Sequence, residues 1–247
     1  MRERRMTLRV AARLFRVLAH LLLGLSICAL LFPWLGHDQR LARIRHWSAQ
    51  LLGIFGVRAE LASTGGAQDG LWVANHVSWI DIFVINALFP SRFVAKSEVR
   101  RWPLVGVLCA WAGTIFIQRA NPRDLRQTMA VMVAALRDGE RVVVFPEGTS
   151  SAQGSLLPFR ANLFEAAVEA GVPVQPVSIR YLDAEGRFHG AVEYIGSMSL
   201  IESMVAMLAG GPVHARLAIL PALGADCSDR RTLAQRARRL VADQLAG

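Results

Sequence analysis

The sequence predicts an α/β domain with a largely parallel sheet flanked by helices, preceded by a membrane-associated helical hairpin. From about residue 70 onward, short β-branched runs alternate with helical patterns, which is the order typical of a parallel sheet covered by helices. Before that point, a cluster of arginines leads into a long apolar segment. We therefore divide the chain into a hairpin, residues 1–57, and a globular domain, residues 58–247.

The composition fits a globular domain with a membrane attachment. Hydrophobic residues make up 53% of the 247 residues, and the mean hydropathy is +0.34, which is high for a soluble protein but well below that of a chain built of spanning helices. The net charge of +9 favours anionic partners such as lipid headgroups, nucleic acids or acidic carriers. The three cysteines form no CxxC pair, so we expect free thiols and no metal site.

The apolar segment from Val17 to Leu35 follows six arginines. No small-x-small cleavage site comes after it, so we interpret it as an uncleaved anchor rather than a signal peptide. A second helix is predicted from Asp38 to Val57, because its apolar residues recur at helical spacing, as in a helix that lies in the membrane interface. These apolar residues are Leu41, Ile44, Trp47, Leu51 and Phe55.

Three arrangements of this hairpin stay open. Arginines flank the apolar segment on both sides, so the positive-inside rule gives no clear orientation for a single span. A helix pair that dips into one leaflet avoids this difficulty. The third arrangement is a hairpin buried in a soluble core, against which the flanking arginines argue.

In the globular domain, the first predicted strand runs from Leu71 to Ala74 and is followed by a helix from about Trp79 to Leu88. A later helix has a clear start, since Asn121 is a suitable N-cap and Pro122 takes the first helical position; Gly139 ends it. The other predicted elements are the strands Thr114–Ile117, Arg141–Phe145 and Val174–Tyr181 and the helix Phe159–Ala170. In such sheets reactive groups gather in loops at the carboxyl ends of strands.

The loop after the first predicted strand contains His76 and Asp81. In one continuous helix these residues would lie about 140° apart, so they can meet only if His76 precedes the helix and Asp81 begins it. A neutral histidine can accept a proton from an alcohol, and an aspartate on its other ring nitrogen fixes the tautomer. The alternative is a variant capping box of Ser78 and Asp81, with His76 incidental in the turn.

The loop after the strand Arg141–Phe145 reads Phe-Pro-Glu-Gly-Thr-Ser-Ser over residues 145–151. Its backbone N–H groups and hydroxyls could surround a polar headgroup or a developing oxyanion. The sequence contains no GxSxG, no GxGxxG and no Walker loop, which disfavours a serine hydrolase, a dinucleotide-binding protein and a P-loop NTPase.

The two loops together resemble the lysophospholipid acyltransferase family, typified by 1-acyl-sn-glycerol-3-phosphate acyltransferases. The His-x4-Asp block matches residues 75–81, and the Phe-Pro-Glu-Gly-Thr block matches residues 145–149. Weaker blocks match residues 113–119 and 172–177, and Lys96 and Glu98 stand where members often show Lys-x-Glu. The matches extend over roughly residues 70–180 and occur in the family's order.

This resemblance implies a glycerolphosphate acyltransferase-like fold and specific roles for the matched residues. His76 is implied as the general base and Asp81 as its partner. The implied acceptor-binding residues are Lys96, Arg119, Glu147, Gly148 and Thr149. The acceptor hydroxyl would attack a thioester and release CoA or a carrier-protein thiol. Acyl-CoA or acyl-carrier protein would be a co-substrate, and neither a cofactor nor a metal is expected.

One departure from the family pattern concerns the acceptor. Many members that bind phosphate have an arginine directly after the threonine, and this chain has Ser150 there. The variant resembles members that acylate lyso-ornithine lipid, which has no phosphate. We expect 1-acyl-sn-glycerol-3-phosphate as the acceptor, giving phosphatidic acid, with lyso-ornithine lipid as the alternative.

An alternative of another class is a non-enzymatic basic protein that binds membrane surfaces or nucleic acid. Its support is the net charge and five arginines between residues 230 and 239. No aromatic residues are interleaved with these arginines, as they commonly are in nucleic-acid-binding surfaces. We therefore expect lysolipid, acyl thioester and membrane lipids as partners, acyl-carrier protein as a candidate partner and no nucleic acid. The catalytic domain is expected to face the cytoplasm, at the inner membrane if the protein is bacterial.

Overall fold

The computed structural model describes residues 2–64, 66–117, 122–224 and 229–247. Helices and strands alternate through most of these ranges. The helices are α1 (Arg2–Leu30), α2 (His37–Phe55), α3 (Asp81–Leu88), α4 (Val105–Trp111), α5 (Pro122–Arg137), α6 (Glu165–Ala170), α7 (Leu200–Ala209) and α8 (Arg230–Ala246). The strands are β1 (Val57–Thr64), β2 (Leu71–Ala74), β3 (Arg92–Lys96), β4 (Ile115–Ile117), β5 (Val142–Val144), β6 (Val174–Leu182) and β7 (Val213–Ile219).

The strands form one sheet in the order β1-β7-β6-β2-β5-β3-β4. Neighbouring strands are parallel except β6 and β7, which are antiparallel. On β2, Val73 pairs with Val144 of β5 on one side and with Pro176 of β6 on the other. Because these three strands are parallel, their carboxyl ends lie at the same edge of the sheet. The predicted α/β class with a largely parallel sheet is confirmed.

Helices cover both faces of the sheet, and the side chains of β2 show how the core is divided. Trp72 and Ala74 belong to the layer that contains α2, α3 and α7, whereas Leu71 and Val73 belong to the layer that contains α5, α6 and α8. This division follows from the alternation of side chains along a strand. All four side chains are fully buried, which explains why the strand is apolar at every position.

Several predicted elements have shifted boundaries. The helix expected from Trp79 begins at Asp81 as α3, and the helix expected over Phe159–Ala170 is divided into a 3-10 turn, Ala161–Phe164, and α6. The strands β1, β3 and β7 and the helices α4 and α7 are additions to the predicted set. In β7 the apolar residues alternate with His214 and Arg216, so a search for a period of two would have found this strand.

A reciprocal contact joins α1 to α2. His20 and Trp47 stack with their ring centroids 4.6 Å apart. Trp47 Nε1 donates to the His20 carbonyl at 3.1 Å, and His20 Nε2 donates to the Trp47 carbonyl at 2.9 Å. A Cβ at Gly24 would lie 2.7 Å from Trp47 Nε1, so the close crossing of the two helices depends on a glycine at this position.

The apolar stripe of α2 faces the protein. Leu51 and Phe55 are buried in the core with α3 and the sheet, and Ile44 and Trp47 line a cavity. The prediction of an interfacial helix is therefore wrong for this stripe, because the globular domain covers it. The physical cause is that helical periodicity shows which residues share a face but not what covers that face.

Helix α1 instead exposes large apolar side chains to the outside. The segment Leu8–Trp34 is long and apolar enough to cross a membrane, judged by length and composition. Its exposed apolar residues are Leu8, Phe15, Leu18, Leu22, Leu23, Leu30, Leu31 and Trp34.

Candidate active site

His76 and Asp81 meet at the carboxyl end of β2. His76 lies in the turn after the strand, and Asp81 is the first residue of α3. His76 Nδ1 lies 2.8 Å from Asp81 Oδ2. With Nδ1–H donating to the carboxylate, the neutral ring keeps the lone pair on Nε2. No group in the described ranges forms a hydrogen bond with that nitrogen, so it can accept a proton from a ligand.

The Asp81 carboxylate is fully buried and accepts four hydrogen bonds. Oδ2 also accepts from the backbone N–H groups of Val77, at 2.8 Å, and Ser78, at 3.0 Å. Oδ1 accepts from the Tyr181 hydroxyl at 2.5 Å. Asp81 thus orients His76 and also binds the backbone at the start of α3. The loop therefore has features of both sequence interpretations, the His76–Asp81 pair and the capping box of Ser78 and Asp81. The reciprocal half of a capping box is missing, since the buried Ser78 hydroxyl has no partner among the described groups.

Asn75 explains why the chain turns where it does. Its amide side chain donates to the Ile179 carbonyl at 3.0 Å and accepts from the Ile179 N–H at 2.8 Å. These two bonds continue the pairing of β2 with β6 through a side chain instead of the backbone. The backbone of β2 therefore stops pairing with β6 at Asn75, and His76 lies just outside the edge of the sheet.

Glu147 fastens the second loop to the first. Its carboxylate is buried, and Oε1 accepts from the His76 N–H at 2.8 Å. Oε2 accepts from the Ser151 hydroxyl and the Leu157 N–H, both at 2.9 Å. The Ser151 N–H in turn donates to the His76 carbonyl at 2.8 Å. The backbone of His76 is thus held on both sides by residues 147–151.

The His76 ring is also held from its face. It stacks on Phe145 with the centroids 4.1 Å apart and the planes 17° apart, and Phe145 stacks on Phe93 in turn. The His76 side chain is 22% exposed. The ring is therefore fixed in orientation while remaining accessible from a cavity.

That cavity is apolar and has a volume of about 450 Å³. Its walls come from the hairpin as well as from the globular domain: Leu21 and Gly24 of α1, Trp47 of α2 and Leu108 of α4 all line it, and His76 stands at its wall. A volume of this size is ordinary for a small-molecule site. An apolar space beside a proton acceptor suits a ligand with a hydrocarbon chain.

The other predicted site residues are placed as follows. Gly148 and Thr149 lie on the cavity wall, and so does Lys96. Gly148 has a positive φ of 78°, which favours glycine there. The Ser150 hydroxyl donates to the Tyr194 carbonyl. Arg119 lies outside the described residues.

Within the described ranges, no group of three His, Cys, Asp or Glu side chains could hold a metal ion. Cys28 and Cys109 are free thiols, and Cys227 lies outside those ranges. A reaction without a metal or cofactor stays a prediction.

Comparison with known proteins places this chain in a family. The family model described as "Acyltransferase" matches residues 58–180. The chain is 36% identical to the lyso-ornithine lipid O-acyltransferase of Pseudomonas aeruginosa, over 95% of this chain and 93% of that one. The chain belongs to the acyltransferase family. This acyltransferase is also 44% identical to the 1-acyl-sn-glycerol-3-phosphate acyltransferase of Neisseria gonorrhoeae, over 47% of this chain and 46% of that one.

A solved structure supports the fold of the acyltransferase. The crystal structure of the 1-acyl-sn-glycerophosphate acyltransferase from Thermotoga maritima superposes with a TM-score of 0.75 at 22% identity. The match covers 100% of this chain and 97% of the other. The recognition from sequence motifs, the enzyme class and the glycerolphosphate acyltransferase-like fold are thus confirmed.

Sequence reasoning missed two contributions to the site of this acyltransferase. Tyr181, 100 residues after Asp81, bonds to its carboxylate. A tyrosine near the end of a buried strand was a usable signal, because a buried hydroxyl needs a partner. The second omission is the part that α1 and α2 play in the cavity wall, for which the periodicity of these helices offered no signal.

Proposed function

We propose that this acyltransferase moves a fatty acyl group from acyl-CoA or acyl-carrier protein to the free hydroxyl of a lysolipid. The observation that carries this proposal is the His76 ring, bound to Asp81 through Nδ1 and open to an apolar cavity on its other side. A proton acceptor and a hydrocarbon site are the two features that acyl transfer to an alcohol requires.

The reaction needs one proton to move twice. His76 Nε2 takes the proton of the acceptor hydroxyl while its oxygen attacks the thioester carbonyl carbon. The tetrahedral intermediate then breaks its C–S bond, and the leaving sulfur takes the proton back from the imidazolium. Asp81 stabilises the imidazolium between these steps. A base in this position contributes typically about 10²–10⁴-fold in rate.

The loop residues have two different roles in this proposal. Lys96, Gly148 and Thr149, on the cavity wall, contact the acceptor, and Arg119 supplies the cation that an anionic headgroup needs. For Glu147 we propose a role other than the direct acceptor binding that the resemblance implies. Both of its oxygens accept bonds from the protein, so its role is to hold the two loops together.

Two acceptors are candidates. In support of lysophosphatidic acid, the chain is similar to the gonococcal enzyme named for that substrate, although the similarity covers only about half of each chain. In support of lyso-ornithine lipid, relatives named for it match nearly the whole chain, and Ser150 replaces a cation that phosphate would favour. Similarity over the whole chain favours lyso-ornithine lipid.

The deciding experiment offers both acceptors in parallel, each with labelled acyl-CoA and labelled acyl-carrier protein. We expect transfer to at least one acceptor, with loss of about 10²-fold or more in His76→Ala. His214→Ala is a matched control, because this histidine also faces a carboxylate, Glu60 at 3.5 Å, but lies on β7 outside the cavity. No transfer to either acceptor from folded protein, or equal loss in both variants, would refute the proposal.

We further propose that α1 attaches the enzyme to the membrane with the catalytic domain in the cytoplasm, where acyl thioesters are found. The long apolar helix supports attachment. In sealed inverted vesicles, protease added from outside should digest the catalytic domain. Protection of the domain there would contradict the cytoplasmic placement.

A further inference from the structure

Helix α4 presents an uncovered apolar face. The segment that contains it, residues 102–112, has no charged side chain. Val107 is 49% exposed and Trp111 is 43% exposed. They lie one helical turn apart and therefore on the same face.

This exposure does not come from a loosely packed helix. A Cβ at Gly106 would lie 2.2 Å from the Arg100 carbonyl oxygen, so α4 is pressed against the turn before it. On the cavity side, Leu108 lies against Gly24 of α1, since a Cβ there would be 3.1 Å from its Cδ2. Val105 and Cys109 line the cavity. Among the residues that the structure describes, no element covers the outer face of α4, where Val107 and Trp111 are exposed.

The outer face of α4 continues the apolar surface of α1. Trp111 makes an edge-to-face contact with Phe32, with the centroids 6.3 Å apart. Phe32 begins the 3-10 turn Phe32–Trp34 that ends the long apolar segment. In this turn Trp34 is 86% exposed, and the preceding Leu30 is 69% exposed. Phe32 is itself buried, and through its contact with Phe32 the partly exposed Trp111 is joined to the end of the apolar segment that carries the exposed Trp34.

Arginines border the exposed apolar side chains of α4 and of the turn Phe32–Trp34. Arg100 and Arg101 directly precede the apolar segment and are exposed, and the Arg40 guanidinium lies 5.9 Å from the Phe32 ring centroid. Exposed tryptophans at an apolar surface bordered by arginines are typical of a protein that sits in a membrane interface. The arginines are placed to meet anionic headgroups.

We infer that α4 is a second membrane-docking element, which inserts Val107 and Trp111 into the leaflet that holds α1. The outer face of α4 thus contacts an anionic lipid surface. The inference rests on the proposed membrane attachment and extends it from the hairpin to the catalytic domain. One helix then separates the bilayer from the cavity that contains His76.

Photo-crosslinking tests this contact in the full chain. Benzoylphenylalanine is placed at position 107, 30 or 131, and the protein is bound to vesicles of phosphatidylglycerol and phosphatidylethanolamine that contain labelled lipid. Val131 is the matched control, because it is also an exposed helical valine but lies on α5, across the sheet. We expect lipid adducts at position 107 comparable with those at position 30 and several-fold above those at position 131.

The outcomes separate this inference from the proposals on which it rests. Adducts at position 30 with position 107 no higher than position 131 would leave α1 as the anchor and overturn the role of α4. Adducts to a second protein copy at position 107 would overturn it as well. Absence of lipid adducts at position 30 would refute membrane attachment itself.

A second measurement uses charge at the same position. Val107→Asp should weaken binding to these vesicles several-fold, because a carboxylate would enter an apolar and anionic surface, whereas Val131→Asp should not. Acyl transfer to acceptor dispersed in detergent should be the same in both variants, which verifies folding. Equal vesicle binding by the two variants would overturn the inference.

Discussion

The Tyr181 hydroxyl donates to the carboxylate oxygen of Asp81 that does not face His76, at 2.5 Å. Burial and the charge of Asp81 raise the pKa of Tyr181 well above its ordinary value, so the phenol remains a proton donor at neutral pH. The bond takes up part of the carboxylate's negative charge on the side away from the histidine. Tyr181 is therefore a positioning residue that touches neither substrate nor His76.

We expect Tyr181→Phe to lower kcat about tenfold, because the Asp81 carboxylate loses one of the hydrogen bonds that hold it in the orientation that His76 requires. KM for both substrates should stay close to that of the wild type, since the buried phenol touches neither substrate. Steady-state kinetics and the free energy of unfolding are measured on the same variant. An unchanged kcat with a lower free energy of unfolding would show that the phenol acts only on stability.

Asp81→Asn should reduce kcat by about 10²-fold or more, because an amide neither selects the Nδ1–H tautomer nor stabilises the imidazolium. It should also lower the free energy of unfolding, since one amide oxygen cannot replace both carboxylate oxygens. Ser78→Ala is the matched control in the same loop, because that hydroxyl has no partner among the described groups. Comparable losses in the two variants would contradict the role given to Asp81.

Glu147→Gln should lower kcat and the free energy of unfolding while leaving KM for the acceptor close to that of the wild type. The amide retains one acceptor oxygen, so the bonds from the N–H groups of His76 and Leu157, which reach different oxygens, cannot both persist. Thr149→Ala is the comparison, since its loss should raise KM. A raised KM for the acceptor with unchanged kcat in Glu147→Gln would contradict this role and show that Glu147 binds the acceptor directly.

Gly24→Leu should shorten the longest acyl chain that the enzyme transfers. A side chain at this position meets Trp47 and Leu108, so it must either enter the cavity or separate α1 from α2. Gly53→Leu is the control, because a Cβ there meets nothing within 4 Å. Chain-length preference is measured with a series of acyl donors, and identical preferences in the two variants would show that the chain does not reach Gly24.

Ser150→Arg should shift acceptor preference toward lysophosphatidic acid, because a guanidinium binds phosphate through two parallel hydrogen bonds. Ser150→Ala distinguishes this effect from the loss of the bond to the Tyr194 carbonyl. The readout is the ratio of kcat/KM for the two acceptors. An equal shift in both variants would attribute the effect to the lost bond and not to the new charge.

The sequence was sufficient to predict the structural features that depend only on residues close together in the chain. Turn chemistry and hydrophobic period located β2, β5, β6 and α5 to within a few residues. The five-residue spacing required His76 to precede a helix that Asp81 begins, and the structure has that arrangement. These features follow from backbone geometry, which acts over one or two helical turns.

Contacts between distant segments depended on the packing of the whole chain. Tyr181 reaches Asp81 because β6 lies beside β2 in the sheet. The residues of one strand do not show which other strand will lie next to it, so this contact could not be predicted from the sequence. The apolar stripe of α2 lines the cavity and the core instead of facing lipid, because the catalytic domain covers it. A hydrophobic pattern states that a face must be buried, and tertiary packing determines whether protein or lipid buries it.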